Sequence, residues 1–439
     1  MKPILSLLLG KRQPPLTITD EFRQAFDLME NTTQCVYITG KAGTGKSTLL
    51  SWFRKQTKKR LVILAPTGIA ALNVEGATIH SFFRLPPQVV EPNAIRHDPE
   101  RAALYRRLDV IVIDEISMVR ADVMDGIDQT LRLHRRTDAP FGGVQMIFFG
   151  DLYQLLPAVS RDLTGYFQSR FGGSCFFNAR VFYQLTLNYL QLQTIFRQKD
   201  ERFKQILNAI RENNITDEQL ALLNTRYLPD YVPEPGDLRL TLTTTNKIAD
   251  AINTERMTNL SGKSHCFAAS IDGRIDPNAY PADANLILKK GVQVMLLKND
   301  VEKRWVNGTL GRVTRISKDV ITVRIGKRSY PVERAGWEIN EHYYDAKKQS
   351  IETGTAGTFT QFPLRPVWAM TIHKSQGRTF DQIVIDLGSG AFTHGQTYVA
   401  LSRCTSLAGI ILKTAIRRED LQVNAAVKNF IAMHTPPAA

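Results

Sequence analysis

Continuous apolar runs recur along the first half of the chain, separated by stretches with helical spacing. Gln34 to Thr39 reads as a short strand, Leu61-Val62-Ile63-Leu64 as a second, Val110-Ile111-Val112-Ile113 as a third and Val144-Gln145-Met146-Ile147-Phe148-Phe149 as a fourth. Between the first two, Ser47 to Lys59 places Leu49, Leu50, Trp52 and Phe53 on overlapping faces of a helix. Uninterrupted apolar strands with helices between them predict a parallel sheet covered on both faces. The second half repeats the pattern in Leu238 to Thr243, Trp368 to Ile372, Ile383-Val384-Ile385 and Ile410-Ile411-Leu412, predicting a second parallel sheet. The expected fold class is α/β, with two such units.

Two segments break the alternation. Leu85-Pro86-Pro87-Gln88-Val89-Val90-Glu91-Pro92, ending near Pro99, is too rich in proline for a central strand or a helix interior. It is expected to protrude from the first unit. From Leu297 to Pro363, Gly308, Gly311, Gly326 and Pro331 punctuate short alternating strands such as Gly311–Ile316 and Val320–Arg324, the pattern of a small antiparallel barrel. Lys298 to Arg334 holds ten Lys or Arg against four Asp or Glu, which suits a solvated face or a track along a phosphate backbone.

A length of 439 residues implies two to four domains. Lys and Arg number 56 against 42 Asp and Glu, a net charge of +14. That balance points to a polyanionic partner, nucleic acid before an acidic membrane surface; a basic but unspecialised protein is the plain alternative. Cys35, Cys175, Cys266 and Cys404 fit neither a zinc spacing nor a disulfide framework, which favours a reducing interior. The apolar Ile4–Leu9 run is short and leads straight into Lys11-Arg12, unlike a secretory signal. No stretch approaches the ~18 apolar residues that a bilayer span requires. The expectation is a soluble, cytoplasmic protein.

The chemistry concentrates at strand ends. Gly40-Lys41-Ala42-Gly43-Thr44-Gly45-Lys46-Ser47 matches G-x-x-x-x-G-K-[ST] after a strand and at the opening of a helix. There the backbone N–H groups can wrap phosphates, Lys46 reaches the β and γ oxygens and Ser47 holds Mg²⁺. Asp114-Glu115 closes the third strand: Asp114 suits a magnesium-organising carboxylate and Glu115 a base for water. The structural alternative is a helix cap beginning at Asp114. Gln154, in Gly150-Asp151-Leu152-Tyr153-Gln154, is placed to sense a γ-phosphate, and Asp151 to tie that loop to a neighbouring domain. Arg197 and Arg403 are candidate catalytic arginines, or else ordinary surface or ion-pairing residues. His80 and His373 lack neighbouring cysteines or carboxylate clusters, so metal ligation is not expected of either.

Together these residues resemble the PIF (petite integration frequency) family of superfamily-one helicases, the 5′-to-3′ type related to RecD. The resemblance runs from about Leu16 to Ile431. Gln24 lies where that family reads adenine. The loop, Ala65–Ala71, Thr78–Phe82, Asp114–Met118, Gly150–Pro157, Phe196-Arg197-Gln198, Thr371–Gly377 and Tyr398–Arg403 match its ordered motifs. A stretch through Asp125, Asp128, Arg132 and Arg135 to Phe141-Gly142-Gly143 resembles the segment that distinguishes the family from RecD proper. Leu156 stands where proline is common, and Asp151-Leu152 replaces a frequent Asp-Phe.

The resemblance implies two RecA-like P-loop NTPase domains, with a wedge insertion in the first and an SH3-like β-barrel in the second. The first domain would span residues 1–180, with the wedge near 83–101. The second would span 181–296 and 364–439, with the barrel at 297–363. ATP and Mg²⁺ are the implied cofactors. Gln24, Gly40, Ala42, Gly43, Thr44, Gly45, Lys46, Ser47, Thr48 and Gly377 would bind nucleotide, with Ser47 and Asp114 on the metal. Thr67, Gly68, Thr78, His80 and Phe82 would grip single-stranded DNA from the first domain, and Thr243, Thr245, Asn246, His373 and Lys374 from the second.

The implied activity is ATP-dependent translocation and unwinding of duplex, forked or structured DNA, G-quadruplexes included, in genome maintenance. The implied form is a bacterial-type minimal core, nucleoid-associated, monomeric or weakly self-associating. An oligomeric AAA-type ATPase would instead borrow its arginine from a neighbouring subunit. An RNA helicase would share the phosphate grip. A nucleotide-gated DNA-binding scaffold would show a damaged loop, whereas Lys46, Asp114 and Glu115 are all present.

Overall fold

The computed structural model describes residues 18–195, 200–234, 236–273, 275, 277, 280–345, 347–348 and 350–435. Its first lobe is built on a six-stranded sheet of β1 (Cys35–Gly40), β2 (Leu61–Ala65), β3 (Ala77–Thr78), β4 (Val110–Ile113), β5 (Gln145–Gly150) and β6 (Leu187–Leu192). The strand order is β3-β2-β4-β5-β1-β6, and every pairing is parallel. The strands that sequence periodicity predicts are there, with ends shifted by a residue or so. β6 was not expected; its Asn188 and Gln191 interrupt the apolar run, as an edge strand allows. Because β6 pairs along the whole of β1, the first sheet extends beyond the boundary expected at residue 180.

Helices α1 (Asp20–Asn31), α2 (Lys46–Gln56), α3 (Gly68–Asn73), α4 (Ile79–Phe83), α5 (Pro99–Arg107), α6 (Ala121–Arg135) and α7 (Arg161–Phe171) complete this lobe. In α1 the Thr19 hydroxyl accepts from the Phe22 amide, and Phe22, Ala25 and Met29 form the buried stripe. The proline-rich excursion carries only a single 3₁₀ turn, Pro92–Ala94, before α5. Its last proline, Pro99, opens α5 as the first helical residue behind the Asp98 cap, where a missing N–H costs nothing. The buried Asp122 carboxylate accepts from the Val90 amide at 2.8 Å and pins the excursion to α6. The family-distinguishing segment acts as a clamp. Arg135 donates to the carbonyls of Gly142 and Tyr105, and Asp128 accepts from the Phe141 amide.

The second lobe contains α8 (Glu201–Glu212), α9 (Asp217–Asn224), α10 (Asn246–Asn259) and α11 (Gln396–Ser402). Its four-stranded sheet takes β7 (Leu240–Thr243) together with three strands from late in the chain. Between them come β8 (His265–Ala268) paired with β10 (Asn285–Leu288), and the short β9 (Ser270–Gly273). β11 (Gln293–Leu296), β12 (Leu310–Ile316), β13 (Val320–Ile325), β14 (Arg328–Glu333) and β17 (Leu364–Pro366) form an antiparallel five-stranded sheet, wider at both ends than the expected 297–363. The long hairpin of β15 (Ala335–Asp345) and β16 (Ser350–Gln361) pairs instead with β9. β18 (Ala369–Thr371), β19 (Ile383–Asp386) and β20 (Ile410–Leu412) complete the parallel sheet, in the order β18-β7-β19-β20.

The β15–β16 hairpin and the last helix both reach across to the first lobe. The β15–β16 hairpin sets His342 against Phe82 and Tyr344 under the Arg107 guanidinium. The C-terminal α12 (Ala425–His434), expected in the second domain, packs on the first lobe: Val427 enters its core and Phe430 stacks on Phe177. Its apolar face is covered there, which corrects the expected division.

Candidate active site between two lobes

Three motif-bearing strands lie side by side. β5, which ends in Gly150 and leads to Asp151, separates the phosphate-loop strand β1 from β4, which leads to Asp114. Their registers align Thr39 with Gly150 and Ile113 with Phe148, so all three motifs emerge at one carboxyl-terminal sheet edge, where open α/β sheets bind ligands.

The loop has the local conformation that phosphate binding requires. Gly45 caps α2 in the left-handed region, φ 84°, with no side chain over the helix N-terminus. The exposed Ser47 and Thr48 lie in the first turn of α2. The Thr44 hydroxyl donates to the Lys41 carbonyl at 3.0 Å, and Lys46 Nζ donates to the carbonyls of Gly40 and Lys41 at 2.6 and 3.2 Å. Burial holds the Lys46 ammonium below its usual pKa, partly offset by Asp151, Glu115 and Asp114.

Asp114 and Glu115 sit half-buried at the end of β4. Burial, then the neighbouring Glu115 carboxylate, pushes Asp114 up to about 7. Glu115 adopts a left-handed backbone, φ 51°, a strained choice for a non-glycine residue that recurs at functional sites. The cap alternative is partly realised: Glu115, not Asp114, caps the 3₁₀ turn Ile116–Met118, through its backbone alone.

The loop after β5 reaches the second lobe. Asp151 is fully buried; one carboxylate oxygen accepts from Arg211 Nη2 at 3.2 Å, and the other from the Gln154 amide at 3.3 Å and the Tyr398 hydroxyl at 3.4 Å. Tyr398 in turn accepts the Ala42 amide of the phosphate loop at 3.1 Å. Burial alone would raise the Asp151 carboxyl, but Arg211, Lys46 and the Tyr153 amide hold it below its usual range. Ala42 itself packs among second-lobe core residues.

Other expected site residues are placed less simply. Arg197 lies outside the described residues. Arg403 is buried and turned toward its own lobe, donating to the Val399 and Arg378 carbonyls and the Ser402 hydroxyl. Gln154 is buried and tied to Asp151, and Gln24 is exposed on α1. Gly377, φ 74°, faces Asn73 of the first lobe.

Of the DNA-gripping set, Thr67, Thr78 and Thr245 each cap a helix by accepting from the amide three residues on, which fixes the oxygen and leaves the O–H able to donate. Gly68 and Asn246 open the first turns of α3 and α10, and Asn246 is exposed. His80 and His373 are half-buried, while Lys374 is exposed. Two of the set are buried in this arrangement. Phe82 is a core residue, in ring contact with Phe83, Tyr105 and His342, so no base can stack on it in this arrangement. Thr243 is fully buried with its hydroxyl on the Thr245 carbonyl, because β7 is an interior strand.

Arg211 was not singled out. Its signal was an arginine on the apolar face of α8, beside Phe203, Ile206, Leu207 and Ile210.

The model of the PIF1-like helicase family matches residues 17–221, and that of the DNA helicase Pif1 2B domain matches residues 273–316. The ATP-dependent DNA helicase Pif1 of Bdellovibrio bacteriovorus is 32% identical over 90% of this chain and 88% of its own length. The chain belongs to the PIF1-like helicase family. It spans 62% of the longer ATP-dependent DNA helicase PIF1 of Rattus norvegicus, at 33% identity. Among solved structures, unliganded Pif1 from Bacteroides sp superposes with a TM-score of 0.87 at 35% identity, over 95% of this chain and 97% of that one. Bacteroides Pif1 bound to ssDNA matches over the same shares at the same identity with a TM-score of 0.70. Bacteroides sp Pif1 in complex with ADP-AlF4 superposes equally well, with a TM-score of 0.88, so the arrangement of this PIF1-like helicase is nearer to these two forms than to the ssDNA-bound one. Its two parallel α/β lobes fit RecA-like helicase domains. No described helix is long and apolar enough to cross a membrane.

Proposed function

We propose that this chain is an ATP-dependent DNA helicase that moves 5′ to 3′ along single-stranded DNA and separates duplex or structured DNA. The observation that carries the coupling is the Ala42–Tyr398–Asp151 chain, in which a phosphate-loop amide bonds a second-lobe phenol that bonds a first-lobe carboxylate. An event at the γ-phosphate end of the loop is felt directly by the second lobe.

In this reading the amides of Gly43 to Thr48 and the N-terminus of α2 hold the phosphates, and Lys46 exchanges its carbonyl partners for phosphate oxygens. The donor set for a divalent cation is the Ser47 hydroxyl and the Asp114 carboxylate, hard oxygen ligands of the kind Mg²⁺ selects, beside a second carboxylate that leaves the pair in need of positive charge. Bound there with the nucleotide, Mg²⁺ would neutralise developing phosphate charge. Glu115 takes the proton of the attacking water, and Gln154 orients that water. Arg403 reaches the transferred phosphoryl only after leaving the Val399 and Arg378 carbonyls, which makes its engagement a consequence of lobe movement. Arg197 joins it.

The DNA path crosses both lobes along the capped N-termini at Thr67-Gly68, Thr78 and Thr245-Asn246, with His80, His373 and Lys374 beside them. Grip of this kind goes to phosphates and is indifferent to sequence. The lower TM-score of the ssDNA-bound Bacteroides protein supports a rearrangement on DNA. A cytoplasmic, monomeric or weakly self-associating protein acting on forks and structured DNA fits this reading.

Strand displacement on duplexes carrying only a 5′ tail, only a 3′ tail, or none, with ATP and Mg²⁺, tests it. Separation only with the 5′ tail is expected. Equal separation from either tail overturns the polarity, and absence of ATP-dependent separation overturns the motor.

A further inference from the structure

Arg211 is a buried cation that the roles assigned above leave unused. It is 4% exposed, sits near the end of α8 in the second lobe and points back across the lobe boundary. Its guanidinium lies 4.1 Å from the Tyr153 ring centre and donates to Asp151 Oδ1, while its Nε, also buried, meets no hydrogen-bond partner among the described residues. Burying such a group costs several kcal/mol unless its charge is matched, and Asp151 is the carboxylate that matches it.

Asp151 carries a second obligation. The field of this carboxylate also acts on Lys46, and Arg211 acts on Lys46 in the opposite sense. With Arg211 in place, Asp151 is neutralised from the second lobe, leaving Lys46 to the loop carbonyls and the nucleotide. Without it, Lys46 is the remaining cation whose charge stabilises the fully buried carboxylate most. The other Asp151 oxygen orients the Tyr398 hydroxyl that accepts the Ala42 amide. Arg211 therefore bears on the loop by two routes, the charge on Lys46 and the position of Ala42.

We propose that Arg211 is a positioning residue for ATP turnover: by pairing with Asp151 across the lobe boundary it keeps Lys46 free for phosphate and holds Tyr398 on the loop amide. It acts through Asp151 and contacts neither reacting atom. The inference rests on the ATPase reading above. It explains why an arginine stands on the apolar face of α8, where a leucine would pack without desolvation cost.

The test compares steady-state ATP hydrolysis, with single-stranded DNA and Mg²⁺, in the wild-type chain, Arg211→Met, Arg211→Lys, Tyr398→Phe and the double variant Arg211→Met/Tyr398→Phe. Arg211→Met is expected to lower kcat by about tenfold or more with KM for ATP changed by less than about threefold. Arg211→Lys should restore part of kcat, since it keeps the charge and loses only the fork and the ring stacking. Tyr398→Phe removes one oxygen and should lower kcat less, and the double variant should lose less than the product of the two single losses, because both act through Asp151. Arg211→Met with wild-type kcat, losses that multiply independently, or a KM that rises in proportion to the loss would each overturn the proposal. If Arg211→Met does not fold, the Arg211→Lys and Tyr398→Phe pair with their double variant carries the same comparison. A wild-type chain that does not hydrolyse ATP contradicts the ATPase reading itself, a result separate from these.

Discussion

His394 Nε2 donates to the Leu152 carbonyl at 2.7 Å, joining the second lobe to the loop after β5. Its other nitrogen accepts the Asn424 amide at 2.8 Å, so the ring is neutral with its proton on Nε2. A second proton would face an N–H donor. Burial lowers the His394 pKa, while the Leu152 carbonyl and the Asp151 charge pull the other way.

The pH consequence has a definite sign. Below pH ~6.5 the unfolded chain takes up a proton that the folded His394 resists, so stability is present above that pH and falls as pH drops. The ceiling is ~1.4 kcal/mol per pH unit for one such group. His134, His342 and His373 are lowered in the same way and add to the slope. Melting curves from pH 7.5 down to about 5 should show a shallower decline in His394→Gln than in the wild-type chain; parallel curves would remove His394 from the account.

Gly395 brings the backbone of the second lobe close against the loop after β5. Its φ is 69°, and a Cβ there would lie 2.5 Å from the carbonyl oxygens of both Tyr153 and Gln154. Gly395→Ala should cost about 1–3 kcal/mol through overpacking and backbone strain. It should also wedge the lobes apart and lower DNA-stimulated ATPase more than ATP binding. Unchanged melting and turnover would show that the boundary yields freely.

Arg403→Ala should retain nucleotide binding and lose turnover by ~10³-fold, the scale at which catalytic arginines act. Because Arg403 also holds the Val399 and Arg378 carbonyls, the variant should melt earlier, and Arg403→Gln separates the two effects by keeping donors there. Equal loss of nucleotide binding and turnover in Arg403→Gln would place the residue in ground-state binding instead.

Affinity for single-stranded DNA should fall steeply with salt, each neutralised phosphate contributing about −0.7 to the slope of log K against log salt. Titrations of a labelled oligonucleotide between ~50 and ~200 mM salt measure it. A flat profile would assign the +14 net charge to something other than the phosphate backbone.

Much of this was legible in the residues. The interior strands β1, β2, β4, β5 and β19 appear as largely apolar runs because a strand buried on both faces needs no alternation. The loop from Gly40 to Ser47 could be placed because its chemistry lies in contiguous backbone. β6 was not legible, since a half-buried edge strand of mixed polarity resembles a loop. The burial of Phe82 and Thr243 was not legible for a related reason: motif position located the segment, while burial depended on which side the chain packed.

By itself the sequence determined the two-sheet plan, the phosphate loop, the strand-end carboxylates and the family, since each depends on spacing within a few residues of backbone. Tertiary structure alone decided which groups face each other: Arg211 on Asp151, His394 on Leu152, α12 on the first lobe and the inward turn of Arg403. Ala42 and Tyr398 are 356 residues apart, and a contact across that distance leaves no periodicity in either segment. Such pairs form only when two independently stabilised sheets dock, and the charges and hydrogen bonds buried at the boundary then select their partners.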